Sequence, residues 1–288
     1  MNMYTAMEPG SGWPGLTSLD SGRSVDAVFI SGGGSGIGRA VARLFAQRGW
    51  FVGLGDICPA GMAETRDLLP AGSCSVHILD VRDPAQWAQA LAEFSLAAGG
   101  RIALVFNNAG IAFGGPLMEL SEAEIDMLIA VNFRGAVNGA RAAYPHLRAA
   151  GPGSCLLNSA SAASIYGAGG ISIYSATKFA VRALTEALDA EWLADGIRVC
   201  SIMPGFTDTP MLDGPANAAS TRQKRDAIAG SGRVLLPVED VAQAAWDAVH
   251  GTRMHTIVGK AVKKMDLAAR FAPGYMRKKA RGLLAARG

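Results

Sequence analysis

Tyr174 and Lys178 stand four residues apart, so a helix through them carries both on one face, one turn from each other. A phenol titrates near ~10 and is a poor base at neutral pH. An ammonium one turn away favours the phenolate and lowers that value, so the pair could exchange a proton with an alcohol or carbonyl oxygen. A second constellation lies far upstream, where an apolar run ends in Ser31-Gly32-Gly33-Gly34-Ser35-Gly36-Ile37-Gly38 and leads into an amphipathic stretch. Glycines placed there permit a tight turn and let the backbone approach a pyrophosphate at the positive end of a helix. The next apolar run ends in Asp56. A carboxylate at that point accepts hydrogen bonds from an adenosine ribose and repels a 2′-phosphate. No Lys or Arg directly follows Asp56 and Ser35 is not basic, so NAD is expected over NADP.

Positioning these groups requires alternating strands and helices. Short apolar runs at 25–31, 50–56, 75–79, 102–107, 154–159, 197–203 and 254–258 are strand candidates. The central ones lack strict alternation, as expected for strands covered on both faces. Helices are expected at 37–48, from Asp83-Pro84, from Ser121 to about 147, over 172–194 and over 237–250. Asp83-Pro84 is an N-cap followed by Pro at the first helical position, and Ser121 with Glu124 has capping-box spacing. Strands alternating with helices predict βαβ units, hence a doubly wound, mainly seven-stranded parallel sheet with helices on both faces, a Rossmann-type single domain over 25–260. Residues 1–24 are expected to be a flexible N-terminal lead, and 261–288 a basic helical tail.

Composition excludes several classes. Half of the 288 residues are apolar and 18% are charged, ample for a packed core and too apolar for a disordered chain. The 36 glycines follow no Gly-X-Y repeat, which excludes collagen. The net charge of +3 is uneven: residues 260–288 hold nine Lys/Arg against Asp266, leaving the body mildly acidic and unsuited to nucleic acid. Cys58, Cys74, Cys155 and Cys200 form no CxxC pair and no His is near them at ligand spacing, so reduced thiols in a cytoplasmic protein are expected, with no metal. The first 24 residues lack a basic n-region and an apolar h-region, which argues against a signal peptide. The uncharged stretch 149–177 is rich in Gly and Ser and contains Pro152, a poor membrane helix.

Taken together, the motifs resemble those of the short-chain dehydrogenase/reductase family over roughly residues 25–210. The glycine segment resembles that family's TGxxxGIG turn, with Ser31 in place of Thr; Asn107-Asn108-Ala109-Gly110 matches NNAG, Tyr174 to Lys178 matches YxxxK, and Pro204-Gly205 matches the PG turn. The resemblance implies that Ser31, Gly32, Gly34, Ser35, Gly36, Ile37, Gly38, Asp56, Asn108, Ala109, Gly110, Tyr174, Lys178, Pro204 and Gly205 hold the dinucleotide, that Asp80-Val81 meets adenine, and that Thr207 or Thr209 meets the nicotinamide carboxamide. It implies a catalytic set of Asn132, Ser161, Tyr174 and Lys178. Ser159, Ser161 and Ser164 are all near, but the family's serine lies 13 residues before the tyrosine, which selects Ser161. Asn132 would hold a water linking Lys178 to solvent; alternatively its amide satisfies backbone groups at a helix kink.

The implied activity is NAD-dependent interconversion of an alcohol, expected to be secondary and hydrophobic, with its ketone. Phe113, Ile165, Tyr166 and Phe206 are candidate walls of the substrate pocket, and 206–235 a mobile lid. The family often forms dimers or tetramers through the two long helices. Two rivals stand: a 3-oxoacyl thioester reductase, and an NAD(H)-binding sensor without turnover, against which the complete catalytic set argues. For the tail, three readings remain open: a solvated or subunit-packing helix over 261–272 ended by Pro273-Gly274, a membrane-surface contact, or a site for an anionic substrate such as a CoA ester.

Overall fold

The computed structural model describes residues 25–230 and 233–285; the expected N-terminal lead lies outside the described residues. Seven parallel strands form one sheet: β1 (Ala27–Ser31), β2 (Phe51–Asp56), β3 (Cys74–Ile78), β4 (Leu104–Asn107), β5 (Cys155–Ser159), β6 (Arg198–Pro204) and β7 (His255–Val258). Their order is β3-β2-β1-β4-β5-β6-β7. Each predicted strand is present within two residues of its expected ends. The order reverses between β1 and β4, and in such sheets the carboxyl ends of the strands at the reversal open a crevice.

The apolar, non-alternating strands are buried on both faces. In β1, Val28 and Ile30 face one layer, with Val41 and Phe45 of α1 (Gly36–Gln47) and Val241 and Ala245 of α8 (Val238–His250). Ala27 and Phe29 face the other, with Trp87, Leu91 and Phe94 of α3 (Pro84–Ala97) and Leu147 of α5 (Gly135–Ala150). Local signals set the helix starts. The Asp83 side chain accepts from the Ala85 and Gln86 N–H groups, and the Ser121–Glu124 capping box opens α4 (Glu122–Ile129).

Three elements differ from expectation. The helix from Ser121 is not uniform, because a π-helical turn, Ala130–Arg134, joins α4 to α5. The short helix α2 (Pro59–Asp67) follows β2, capped by Cys58, whose Sγ accepts from Gly61 N. Its low apolar content hid it from periodicity. In the tail, α9 (Lys260–Phe271) ends as expected, but Pro273 opens α10 (Pro273–Ala285) instead of ending helical structure, since Pro suits a first helical turn. The expected lid contains α7 (Lys224–Ala229). The helix over 172–194 is observed as α6 (Ser172–Glu191).

Candidate active site

The glycine turn leaves β1 at the switch point. Gly32 takes a left-handed backbone (φ 70°), and its N–H donates to Gly55 O at 2.8 Å. A Cβ on Gly38 would lie 2.0 Å from Gly32 O, so only glycine lets α1 start this close to the turn. Ser35 caps α1 without a side-chain bond, and the first turn carries no acidic residue, which leaves the positive helix end open to an anion. The Asp56 carboxylate accepts from Gly34 N at 2.9 Å and Cys58 N at 3.0 Å, fixing it beside the turn. Gly34, Ser35, Gly36, Asp56, Arg39 and Arg43 line one open crevice. Thr209 closes it from the β6 side, since a Cβ on Gly36 would meet Thr209 Cγ2 at 3.1 Å. The cradle, the uncapped helix and the acceptor at the end of β2 fit a dinucleotide.

Several expected cofactor residues also make bonds within the protein. Ser31 is sealed inside: its hydroxyl donates to Phe106 O and accepts from the Asn108 and Ala109 N–H groups. The Asn108 amide donates to Ser31 O and Gly32 O. These bonds clamp the end of β4 to the turn. Asp80 is held by Arg82, Nη2 to Oδ2 at 2.5 Å, which lowers its carboxyl pKa. Val81 O accepts from Trp87 Nε1 and Asn138 Nδ2. Thr207 is buried, its hydroxyl on Gly205 O, so Thr209 is the threonine that reaches the turn.

Downstream of β5 and along α6, the proton-handling residues converge. Ser161 Oγ accepts from Ala163 N at 3.1 Å, and its hydroxyl lies close enough to the Tyr174 phenol to influence its titration. Lys178 is buried one turn below, its Nζ donating to Ser159 O at 2.8 Å. Ser159 thus serves through its carbonyl, and Ser164 through a hydroxyl on Ser161 O. Asn132 and Lys178 meet across Gly110, where a Cβ would lie 3.2 Å from Asn132 Oδ1 and 3.5 Å from Lys178 Nζ.

One expectation requires correction. The Tyr174 phenol is not pulled down: burial pushes it up, and the nearby Ser161 hydroxyl only partly opposes that. Burial also pushes Lys178 down, to about 8. Desolvation favours the neutral form of both groups, and it outweighs an ammonium 5.7 Å from the ring centre and engaged by Ser159. The Asn132 amide is also committed, accepting from Ile111 N at 2.8 Å and donating to Ile111 O at 2.9 Å. It therefore pins the loop after β4 to the π-turn, the alternative role. Asn107, whose Oδ1 is buried without a partner, lines a small cavity with Asn132, Ser159 and Lys178, a polar setting suited to a water.

Of the candidate pocket walls, Phe113, Tyr166 and Phe206 are half-buried, whereas Ile165 packs in a core cluster with Ala160 and Met203. The lid docks on the loop holding Phe113: Gly114 N donates to Ala216 O, and Asn217 Nδ2 to Gly114 O. Three contributors escaped the sequence reading. Arg39 bonds Gly34 O, Thr65 and Glu64 at once. Arg82 holds Asp80. Arg225 spans Asp208, Asp213 and Thr209 O. Most of their partners are distant in sequence and share no spacing rule with them; Asp80–Arg82 and Arg39–Gly34 are local.

The sequence profile of the short chain dehydrogenases matches residues 26–219. The chain is 36% identical over 220 residues to a cis-4-hydroxycyclohexanecarboxylate dehydrogenase of Sinomonas cyclohexanicum, covering 75% of this chain and 86% of that protein. It is 40% identical over 195 residues to a 3-alpha-(or 20-beta)-hydroxysteroid dehydrogenase of Mycobacterium bovis, covering 67% of this chain and 74% of the relative. The fold is similar to that of a short chain dehydrogenase/reductase from Burkholderia phymatum in complex with NAD, with a TM-score of 0.76 and 28% identity over 89% of this chain and 95% of the other.

Proposed function

Because the chain belongs to the short-chain dehydrogenase/reductase family, we propose that it interconverts a hydrophobic secondary alcohol and its ketone, using NAD in preference to NADP. The observation that carries this reading is the Ser161 hydroxyl beside the Tyr174 phenol, with buried Lys178 one turn below on α6, its Nζ on Ser159 O. NAD, held by the glycine turn, Asp56 and Thr209, would supply the hydride acceptor, and in its reduced form the donor. Ser161 orients the substrate oxygen. Tyr174 passes the proton at its phenol oxygen. Lys178 positions Tyr174 and the cofactor ribose, and Asn132 is a positioning residue for the loop after β4. Burial keeps the phenol protonated at neutral pH, the state that donates to a carbonyl oxygen as it becomes an alcohol.

The preference for NAD rests on the Asp56 carboxylate in the ribose end of the crevice, where a 2′-phosphate would be repelled. Half-buried Phe113, Tyr166 and Phe206 support an apolar substrate, and both named relatives are dehydrogenases of cyclic hydroxy compounds. The proposal extends to a cytoplasmic homodimer or homotetramer assembled on α5 and α6. A panel of cyclic secondary alcohols, assayed with NAD and with NADP at the NADH absorbance, tests it. Turnover with NAD is expected, and Tyr174→Phe should lower kcat by about 10²–10⁴ while NADH affinity, read by fluorescence, stays within about twofold. Binding without turnover across the panel would identify a sensor instead.

A further inference from the structure

The helices α9 and α10 lie beyond the 26–219 region shared with the family and contribute none of the site residues above. The inner face of α9 is packed: Val262 is buried, and Met265 and Ala269 rest on a cluster containing Ala160, Ile165 and Met203. A Cβ on Gly205 would touch Val262 Cγ2 at 3.0 Å, so this face lies against the Pro204-Gly205 turn. The outer face is a stripe of Lys260, Lys263, Lys264, Leu267 and Phe271, at helical spacing. Leu267 is 58% exposed and Phe271 82%, and Tyr275 follows at the start of α10 with 58%. Eight Lys and Arg occupy residues 260–281 against Asp266, which is already paired with Arg270 at 3.3 Å.

We propose that this outer face docks the protein on an anionic lipid surface. The lysines would meet the headgroups while Leu267, Phe271 and Tyr275 enter the boundary with the acyl chains. Charge complementarity selects this occupant. A second copy presenting the same stripe would bring like charges together. A nucleic acid would engage the cations but leave the two large aliphatic and aromatic side chains of α9 in water. A small soluble anion needs convergent donors, which the outer face of a single helix does not offer. No helix among the described residues is long and apolar enough to cross a membrane, so the contact is peripheral. Docking would hold the Pro204-Gly205 turn about one helix diameter, ~10 Å, from the surface. The proposal stands independently of the catalytic reading.

The test is co-sedimentation of the full chain with vesicles of phosphatidylcholine alone and of equimolar phosphatidylcholine and phosphatidylserine. Pelleting is expected with the mixed vesicles only, and salt should release it. Lys263→Glu with Lys264→Glu should weaken partitioning roughly thirtyfold or more, and Phe271→Ser about tenfold. Circular dichroism confirms that both variants fold, since all three side chains are exposed. Absence of pelleting, or pelleting unchanged in both variants, overturns the proposal. So does a lipid-free oligomer that Phe271→Ser dissociates while vesicles go unbound, which would assign the stripe to a second copy. Retardation of a poly(U) RNA without vesicle binding would assign it to nucleic acid and overturn the proposal equally.

Discussion

Lys178 carries its charge in a place that resists charge. Its ammonium has one protein acceptor, Ser159 O, and burial brings its pKa from 10.5 to about 8. Unfolding returns the group to water, so between about pH 8 and 10.5 the unfolded chain binds a proton that the folded chain has released. Stability from this group therefore rises with pH through that window and is flat below it, where both states are protonated. Tyr174 acts in the opposite sense near the top of the window: its phenol is pushed up, so the unfolded chain loses that proton first and stability falls as pH rises further. Urea unfolding at a series of pH values should show Lys178→Met losing the rise that the parent protein shows above pH 8. An identical pH slope in the two proteins would mean that Lys178 is solvated and titrates normally. That Tyr174 and Lys178 share one face of α6 was legible from spacing alone, because four residues on a helix fix a shared face. The direction of the phenol shift was not, because spacing gives the neighbour and only packing gives the desolvation.

Between residues and the whole lies the loop from Phe206 to Asp213, which the sequence marks only by Thr, Asp and Pro. Arg225 on α7 donates to Asp208 Oδ1 at 2.6 Å, to Asp213 Oδ1 at 2.7 Å and to Thr209 O at 3.3 Å. It thereby holds Thr209 against the glycine turn from the lid side. The pairs are exposed and weak, so Arg225→Ala should raise the KM for NAD by about three- to tenfold and leave kcat within about twofold. A fall in kcat with KM unchanged would place Arg225 in the chemical step rather than in cofactor retention. Elements of this kind explain where sequence reading stops. The strands were legible because continuous apolar runs have one use in a doubly covered sheet, and α3 and α4 because Asp83 and Ser121 announce their caps. The α2 helix, the π-turn at Asn132 and the lid helix α7 were not. Each is specified by a tertiary partner: Arg39 and Gly33, both bonded to Thr65, for α2, Ile111 for the π-turn, Gly114 and Ala112 for the lid.

At the scale of the molecule, the site is an edge property of two separate cores. The glycine turn, Asn107, Ser159 and Pro204 all sit at the carboxyl ends of strands whose side chains are divided between the two faces of the sheet. Ile30 belongs to the layer under α1 and α8, and Leu156 to the layer under α3 and α5. The strands that carry them, β1 and β5, are separated by β4. Neighbouring strands lie ~4.8 Å apart, so the two side chains are about 10 Å apart in the sheet and point to opposite sides of it. Ile30→Val should cost about 0.5–1.5 kcal/mol and Leu156→Ala about 2–5 kcal/mol. Residues that far apart in unconnected clusters combine additively to within about 0.5 kcal/mol. The double variant, unfolded in urea beside the two single ones, should therefore show the sum. A coupling well beyond that margin would mean that the sheet transmits strain between its faces. In that case the glycine turn and Ser161, which follow the carboxyl ends of β1 and β5, would shift and NADH affinity would fall together with stability.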